Sequence, residues 1–333
     1  MKFLFTSDIH LSARPRDEYR WSIFPWLRMN AENRQVDAVF LLGDITDQKD
    51  NHGNAFINRI VDAVRDLETV APVYVLKGNH DYSDPAAPLL RFLPNFATAP
   101  LPVEVGGARL MLYPNAKFAP KEGEWGRMLK AYPPNGYDFA LCHQTFSGAT
   151  SENGTTMMGI HADSLEGAGF AVSGDIHVPQ RVGCVRYCGA PHPIRFGDTF
   201  QPRVLFFDGD KLKSLPRTTI KKAVIQATSV EEVAAADLTE GDQVKVRLSL
   251  ARSEFSGWDE IRAEIRSVAE ARGWDLCGVE LQEIGDSSRV RLKGAAPASG
   301  QVPPQRVLRA FCKANDVPAA LAEVGMGLLE ATP

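Results

Sequence analysis

The stretch Val73-Tyr74-Val75-Leu76-Lys77-Gly78-Asn79-His80-Asp81 ends an apolar, β-branched run at a glycine and follows it at once with three side chains able to bind a metal or move a proton. In α/β folds the strand fixes a position, and the loop beyond its C-terminal end carries the reactive atoms. Asn79 offers an uncharged carbonyl oxygen, a hard ligand, and His80 can hydrogen-bond or donate a proton. Taken alone, Gly-Asn-His-Asp is also an ordinary turn. Its meaning depends on where the other histidines and aspartates fall.

Working outward, the same pattern recurs. Lys2 to Ser7 predicts a first strand that ends at Asp8-Ile9-His10, where two metal-binding residues stand two apart and share a side of an extended chain. A second predicted strand, Val36 to Leu42, ends in Gly43-Asp44-Ile45-Thr46-Asp47. Phe56, Ile57, Ile60, Val61, Val64 and Leu67 recur at helical spacing and predict an amphipathic crossover into the strand before Asn79. Strand alternating with helix implies a right-handed, largely parallel sheet whose C-terminal ends share one edge. From about residue 101 shorter strands are expected, Leu101 to Val105, Leu110 to Tyr113 and Tyr137 to Cys142, the last ending at His143, with no helix of any length among them. A Gly/Ser/Thr-rich loop, Ser147 to Gly159, precedes another apolar run, Phe170 to Ser173, that ends at Gly174-Asp175-Ile176-His177.

Five strand ends thus carry Asp8/His10, Asp44, Asn79/His80, His143 and Asp175/His177, using four of the seven histidines. Scattered core histidines would not fall so regularly after apolar runs. His52, His161 and His192 lie outside the pattern and read as core or surface residues, while Asp47 and His52, near the site in sequence, read as surface residues with substrate contact as the alternative. Arg14, Arg16, Trp21, Phe24 and Trp26 read as a core helix with a solvated arginine rim.

The 333 residues allow one large domain and a smaller one, and 44% apolar residues suffice for a sizeable core. A net charge of -4 excludes a bulk electrostatic nucleic-acid binder, so such binding must be local or metal-assisted. Five cysteines without C-x-x-C spacing read as reduced thiols, with Cys142 on a buried strand. The apolar run at the N-terminus is too short for a signal peptide and no stretch approaches a membrane span, so a soluble, cytoplasmic protein is expected.

The motifs D-x-H, G-D-x-x-D, G-N-H-D, a lone strand-end histidine and G-D-x-H resemble, in order and spacing, the five motifs of the calcineurin-like metallophosphoesterases. Gly174 to Gln180, followed by Tyr187-Cys188-Gly189-Ala190-Pro191 and Phe196-Gly197-Asp198, is most similar to the SbcD-type DNA repair nucleases. The resemblance covers residues 1 to 215. It implies a four-layer αββα sandwich of α/β class and a phosphodiester hydrolase acting on DNA with two divalent ions. The mixed oxygen and nitrogen donors independently suit a pair of divalent ions such as manganese or iron better than calcium or a structural zinc. By the resemblance, Asp8, His10, Asp44 and His177 hold one ion, and Asp44, Asn79, His143 and Asp175 the other, with Asp44 bridging. The ions activate a water, His80 contacts the phosphate and protonates the leaving oxygen, and Asp81 orients His80. Asp175 departs from the commonest pattern, which has histidine there, so metal preference is the property it puts in question.

After residue 215 a second unit is expected. Val244, Val246, Leu248 and Leu250 alternate as a half-buried strand, Trp258, Ile261, Ile265 and Val268 mark a helix, and Leu276 to Leu281 a further strand. This small α+β unit, residues 216–293, resembles the capping domain of SbcD-type nucleases. Lys221, Lys222, Arg289, Arg291 and Lys293 are candidate phosphate contacts or a solvated charged face. Residues 294–333 read as a linker and helical tail for this chain's own core or for a partner. By resemblance that partner is an SbcC-type coiled-coil ATPase, and the chain a homodimer. No G-x-x-x-x-G-K-[ST] phosphate loop occurs, so ATP dependence would come from another polypeptide. The rival readings are a metallophosphoesterase for a phosphoprotein or small phosphoester, and a weakly catalytic scaffold for DNA ends.

Overall fold

In the computed structural model the described residues are 1–49, 52–84, 87–116 and 123–283, with Leu308 and Cys312. The chain opens with strand β1 (Phe3–Thr6), helix α1 (Ile23–Arg34), β2 (Ala38–Leu41), α2 (Asn54–Glu68), β3 (Val73–Leu76) and β4 (Phe96–Ala97). It continues through β5 (Leu101–Val105), β6 (Ala108–Tyr113), α3 (Glu124–Ala131), β7 (Phe139–His143), β8 (Phe170–Gly174), β9 (Arg181–Val182) and β10 (Val185–Tyr187). Then come β11 (Arg203–Phe207), β12 (Leu212–Pro216), β13 (Lys222–Ala227), α4 (Val230–Ala234), β14 (Gln243–Leu250), α5 (Trp258–Ala271) and β15 (Asp275–Glu283).

β1 and β2 are buried along their whole length, as continuous apolar runs are when a parallel sheet is covered on both faces. Their sheet has the order β12-β11-β1-β2-β3-β4, with β1 to β4 mutually parallel and β11 and β12 antiparallel at one edge. A second sheet, β5-β6-β7-β8-β10-β9, has a parallel centre of β6, β7, β8 and β10.

Alternation of side chains divides the core into layers. Leu4, Val39, Leu41 and Val73 pack with Leu27, Ile60 and Val64 of α1 and α2. Phe3, Phe5, Phe40 and Leu76 point the other way and meet Leu110, Leu112, Phe139 and Leu141 of the second sheet. The ring of Phe139 lies 5.6 Å from those of Phe3 and Phe5, so the two sheets touch face to face through aromatic contacts. On the far side of the second sheet Met111, Ala140 and Cys142 pack under Trp125 and Met128 of α3 and under Phe146 and Leu165. The result is the α/β four-layer sandwich. Helix α3 departs from the expectation of no helix there. With eight residues and two buried side chains, its apolar period is too brief to stand out.

A third sheet, β13-β14-β15, is wholly parallel and carries α4 and α5 against Val244, Val246, Leu248 and Leu250. The strand, helix and strand expected over 244–281 are present, and β13 and α4 add to them. This sheet meets the sandwich beside the loop after β1. The Gln243 side-chain amide donates to the Arg16 carbonyl at 2.5 Å, and Arg16 pairs with Asp275 at 3.5 Å. The candidate phosphate contact Lys222 is buried and paired with Asp17 at 3.8 Å, and Lys221 donates to the Asp237 carbonyl. Lys222 is therefore occupied within the fold. Arg289, Arg291, Lys293 and the linker and tail expected over 294–333 lie outside the described residues, apart from Leu308 and Cys312. Among the described residues no helix is long and apolar enough to cross a membrane.

Candidate metal centre

Parallel strands deliver their C-terminal ends to one edge, and the two facing sheets bring two such edges together. The loops after β1, β2 and β3 supply Asp8, His10, Asp44 and Asn79, and the ends of β7 and β8 supply His143, Asp175 and His177. The backbone there is unusual. Of the six non-glycine residues with positive φ among the described residues, four are Asp8 (56°), His10 (49°), Asp44 (52°) and Asp175 (87°). Strain of this kind persists where surrounding structure enforces it, characteristically at functional sites. Gly78 is required by close approach, because a Cβ on it would stand 2.2 Å from the Asp44 amide nitrogen.

The donors converge. His10 Nε2 and His177 Nε2 are 3.1 Å apart, and one nitrogen or carboxylate oxygen from each of Asp8, His10 and His177 falls within 4.8 Å of the others. His143 Nε2 lies 3.4 Å from Asp44 Oδ1, 3.7 Å from Asp175 Oδ1 and 2.9 Å from Asn79 Oδ1. Asp8, Asp44 and His143 form a second group within the same limit, and His10, Asp44 and His80 a third. The seven residues predicted as metal ligands are thus brought together, with His80 beside them. His143 Nδ1 lies 2.7 Å from the Leu42 carbonyl, an acceptor only, so this nitrogen carries the proton and Nε2 presents a lone pair to the site. His80 is fixed likewise, Nδ1 donating to the Asp47 carbonyl at 2.9 Å.

These residues fit divalent cations. The amide end of Asn79 lies 2.9 Å from His143 Nε2 and 3.2 to 3.3 Å from the carboxylate oxygens of Asp44 and Asp175. The amide nitrogen on this side donates to those carboxylates, which marks the point as one of concentrated negative charge. The electrostatics of the cluster point the same way. Burial pushes Asp8 up to about 6. Burial also opposes a proton on His143, yet Asp44, Asp8 and Asp175 raise it well above an ordinary imidazole. Burial holds His10 well below, leaving it neutral. A cluster that draws protons in this way releases them when a metal binds.

Asp81 acts differently from expectation. Its carboxylate accepts the amides of Gly78, Asp44 and Ile45, each at 2.9 Å, and does not meet the His80 ring, whose Nδ1 is taken by Asp47. Adjacent residues point in different directions, so Asp81 pins two loops together and does not orient His80. Three residues beyond the predicted site set join it, of which Asp47 closes the G-D-x-x-D motif and Arg20 and Glu152 lie outside the motifs. Asp47 Oδ1 sits 3.6 Å from His10 Nδ1, Arg20 is buried and donates to the His10 carbonyl, and Glu152 Oε1 is 2.5 Å from His177 Nδ1. The hydrogen bond from His177 holds the Glu152 carboxyl down at about 2. Glu152 is the one acid in the 147–159 loop, the signal that could have singled it out. His52 stays at the surface, stacked on Phe56, and buried His192 meets the Ile9 carbonyl at 2.8 Å. A cleft of about 590 Å³ opens above the cluster, walled by Arg14, Asn153, Thr155 and Arg195.

Residues 1–179 match the family described as calcineurin-like phosphoesterase. The chain belongs to that family. As a calcineurin-like phosphoesterase it is a metal-dependent hydrolase of phosphoesters, with a donor set suited to a dimetal site. It is 25% identical over 275 residues to the SbcD component of the Escherichia coli nuclease SbcCD, spanning 66% of this chain and 68% of that protein. It is 32% identical over 84 residues to a UDP-2,3-diacylglucosamine hydrolase of Shewanella pealeana, spanning 25% of this chain and 34% of that protein. Among solved structures, a dimetal phosphatase from Danio rerio is similar over 67% of this chain and 99% of that one, at 12% identity and a TM-score of 0.43.

Proposed function

We propose that this phosphoesterase is a two-metal DNA phosphodiesterase. The observation that carries the reading is the convergence of Asp8, His10, Asp44, Asn79, His143, Asp175 and His177 beneath an open polar cleft, with His80 beside them. The choice of DNA is supported by the similarity to a nuclease component over about two thirds of both chains.

In this reading Asp8, His10, Asp44 and His177 would hold one ion, and Asp44, Asn79, His143 and Asp175 the other. The oxygen-rich second set suits manganese. Bound ions of this kind supply Lewis acidity and lower the pKa of a coordinated water. The chain contributes the rest. With Nδ1 committed to Asp47, His80 keeps Nε2 for the scissile phosphate and for proton delivery to the leaving oxygen. Arg14 and Arg195 on the cleft wall offer positive charge to substrate phosphates. Residues 216–293 cap the cleft and restrict which DNA enters. The tail over 294–333 docks on a coiled-coil ATPase of SbcC type, and the chain works as a homodimer.

A small phosphoester or nucleotide-linked substrate is the second reading, favoured by the 84-residue similarity to a UDP-2,3-diacylglucosamine hydrolase. Hairpin, single-stranded and blunt duplex DNA, assayed beside p-nitrophenyl phosphoesters with manganese and with chelator, separate the two. Manganese-dependent cleavage of DNA is expected. Hydrolysis of the small esters with every DNA left intact would favour the second reading, and no turnover on any of them would favour a DNA-end scaffold.

A further inference from the structure

The loop over 147–159 contributes no motif residue, yet it places a carboxylate against one of the site's histidines. His177 has two ring nitrogens with different surroundings. Nε2 faces the cluster, 3.1 Å from His10 Nε2, while Nδ1 faces away and lies 2.5 Å from Glu152 Oε1. The Glu152 contact is a short ion pair, and among the described residues Nδ1 has no hydrogen bond of regular geometry, so Glu152 is the one group placed to take its proton. An imidazole whose Nδ1–H donates to a carboxylate must present its Nε2 lone pair on the opposite side.

The loop is built to hold Glu152 there. Gln180, three residues beyond His177, accepts the Thr150 amide and donates to the Thr150 carbonyl, both at 2.7 Å, so the segment bearing the ring also grips the loop. Ser147 exchanges hydrogen bonds with both backbone groups of Gly159 at the loop's base. At its tip the Asn153 side chain accepts from the Ser151 hydroxyl and the Thr155 amide. Residues on both sides of Glu152 are therefore fixed, and little conformational freedom remains to be lost when its carboxylate meets the ring.

The other histidines are handled differently. His143 Nδ1 is committed to a backbone carbonyl, and His10 Nδ1 has a carboxylate no nearer than 3.6 Å from Asp47. Of the three, His177 alone depends on a side chain delivered by a surface loop.

We propose that Glu152 is a positioning residue for one metal only: by holding Nδ1 of His177 it aims Nε2 at the ion shared with Asp8 and His10, leaving the ion at His143, Asn79 and Asp175 unaffected. This rests on the two-metal reading above. Loss of such an outer carboxylate typically weakens metal affinity by ~10 to 100-fold.

The test is calorimetric titration of the metal-free full-length protein with Mn²⁺, for wild type, Glu152→Ala and Glu152→Gln, with thermal unfolding of each metal-free form. Wild type is expected to bind two ions. Glu152→Ala is expected to weaken one site by ~10 to 100-fold, with the other site and the metal-free melting temperature unchanged. Glu152→Gln, whose amide oxygen can still accept from Nδ1, is expected to lie much closer to wild type. Two wild-type affinities in Glu152→Ala would overturn the proposal while leaving the two-metal reading intact. Equal weakening of both sites with a lowered melting temperature would make Glu152 a loop-packing residue and also overturn it. A wild type that binds no metal would overturn both.

Discussion

Asp81 accepts a hydrogen bond from the backbone amide of Asp44 at 2.9 Å, tying the loop after β3 to the loop after β2. The same carboxylate takes the Gly78, Ile45 and Thr46 amides, so four buried backbone donors from two loops share one acceptor group. Burial, with Asp44 nearby, pushes its pKa up to about 6. The site's geometry is held from beneath by this buried carboxyl group.

Replacing Asp81 by Ala is expected to orphan these amides, at ~1 to 3 kcal/mol for each unsatisfied donor, and to lower both stability and metal affinity. Urea unfolding of the metal-free protein and metal titration check this. A variant that kept stability and both metals, yet lost rate, would return Asp81 to the role of orienting His80.

His80→Ala is expected to leave both metals bound and to slow phosphodiester hydrolysis by ~10²-fold or more, the scale of a lost general acid. His80 Nδ1 is engaged outside the cluster by the Asp47 carbonyl, but His80 also groups with His10 and Asp44. Bound-metal stoichiometry decides: a fall in metal content alongside the rate would make His80 a ligand.

Asp175 Oδ2 accepts from the Thr145 hydroxyl, which leaves Oδ1, 3.7 Å from His143 Nε2, directed into the site. Asp175→His is expected to retain activity and shift preference toward softer divalent ions, whereas Asp175→Ala empties or weakens the second site. Two tightly bound metals in Asp175→Ala would remove Asp175 from the ligand set.

Asp8 is raised from 3.8 to about 6 by burial, so between these values the folded metal-free protein holds a proton that the unfolded chain releases. Stability therefore falls as pH rises through this window. Asp8→Asn removes the buried charge and is expected to stabilise the metal-free protein at pH 7 by ~1 to 3 kcal/mol, with no gain near pH 4. It also loses tight binding at the His10 and His177 position. A variant equally stabilised at both pH values would contradict the linkage.

What can be read in the sequence follows from local rules. Buried parallel strands are continuous apolar runs, and the residue just past each run is the one the fold brings into the cluster: Asp8, Asp44, Asn79, His143 and Asp175. What cannot be read depends on distant packing. Glu152 meets His177 only after the 147–159 loop folds back over β8, and Lys222 pairs with Asp17 across 205 positions that separate the third sheet from the first loop. Arg20 reads as one of several arginines in an amphipathic stretch until the fold buries it against the His10 carbonyl. Asp81 departs from its expected role for a local reason, since in the bend after β3 its carboxylate turns to the backbone amides of Gly78, Asp44 and Ile45 while the His80 ring turns to the Asp47 carbonyl.

The central claim is that two ions act together in this cluster, and the most direct measurement is a Mn²⁺ titration of metal-free protein followed by calorimetry and by hydrolysis of bis-p-nitrophenyl phosphate. Two equivalents are expected to bind, with hydrolysis absent in chelator and reaching its full rate only as the second site fills. Full activity at one equivalent, or hydrolysis that persists in chelator, would contradict it.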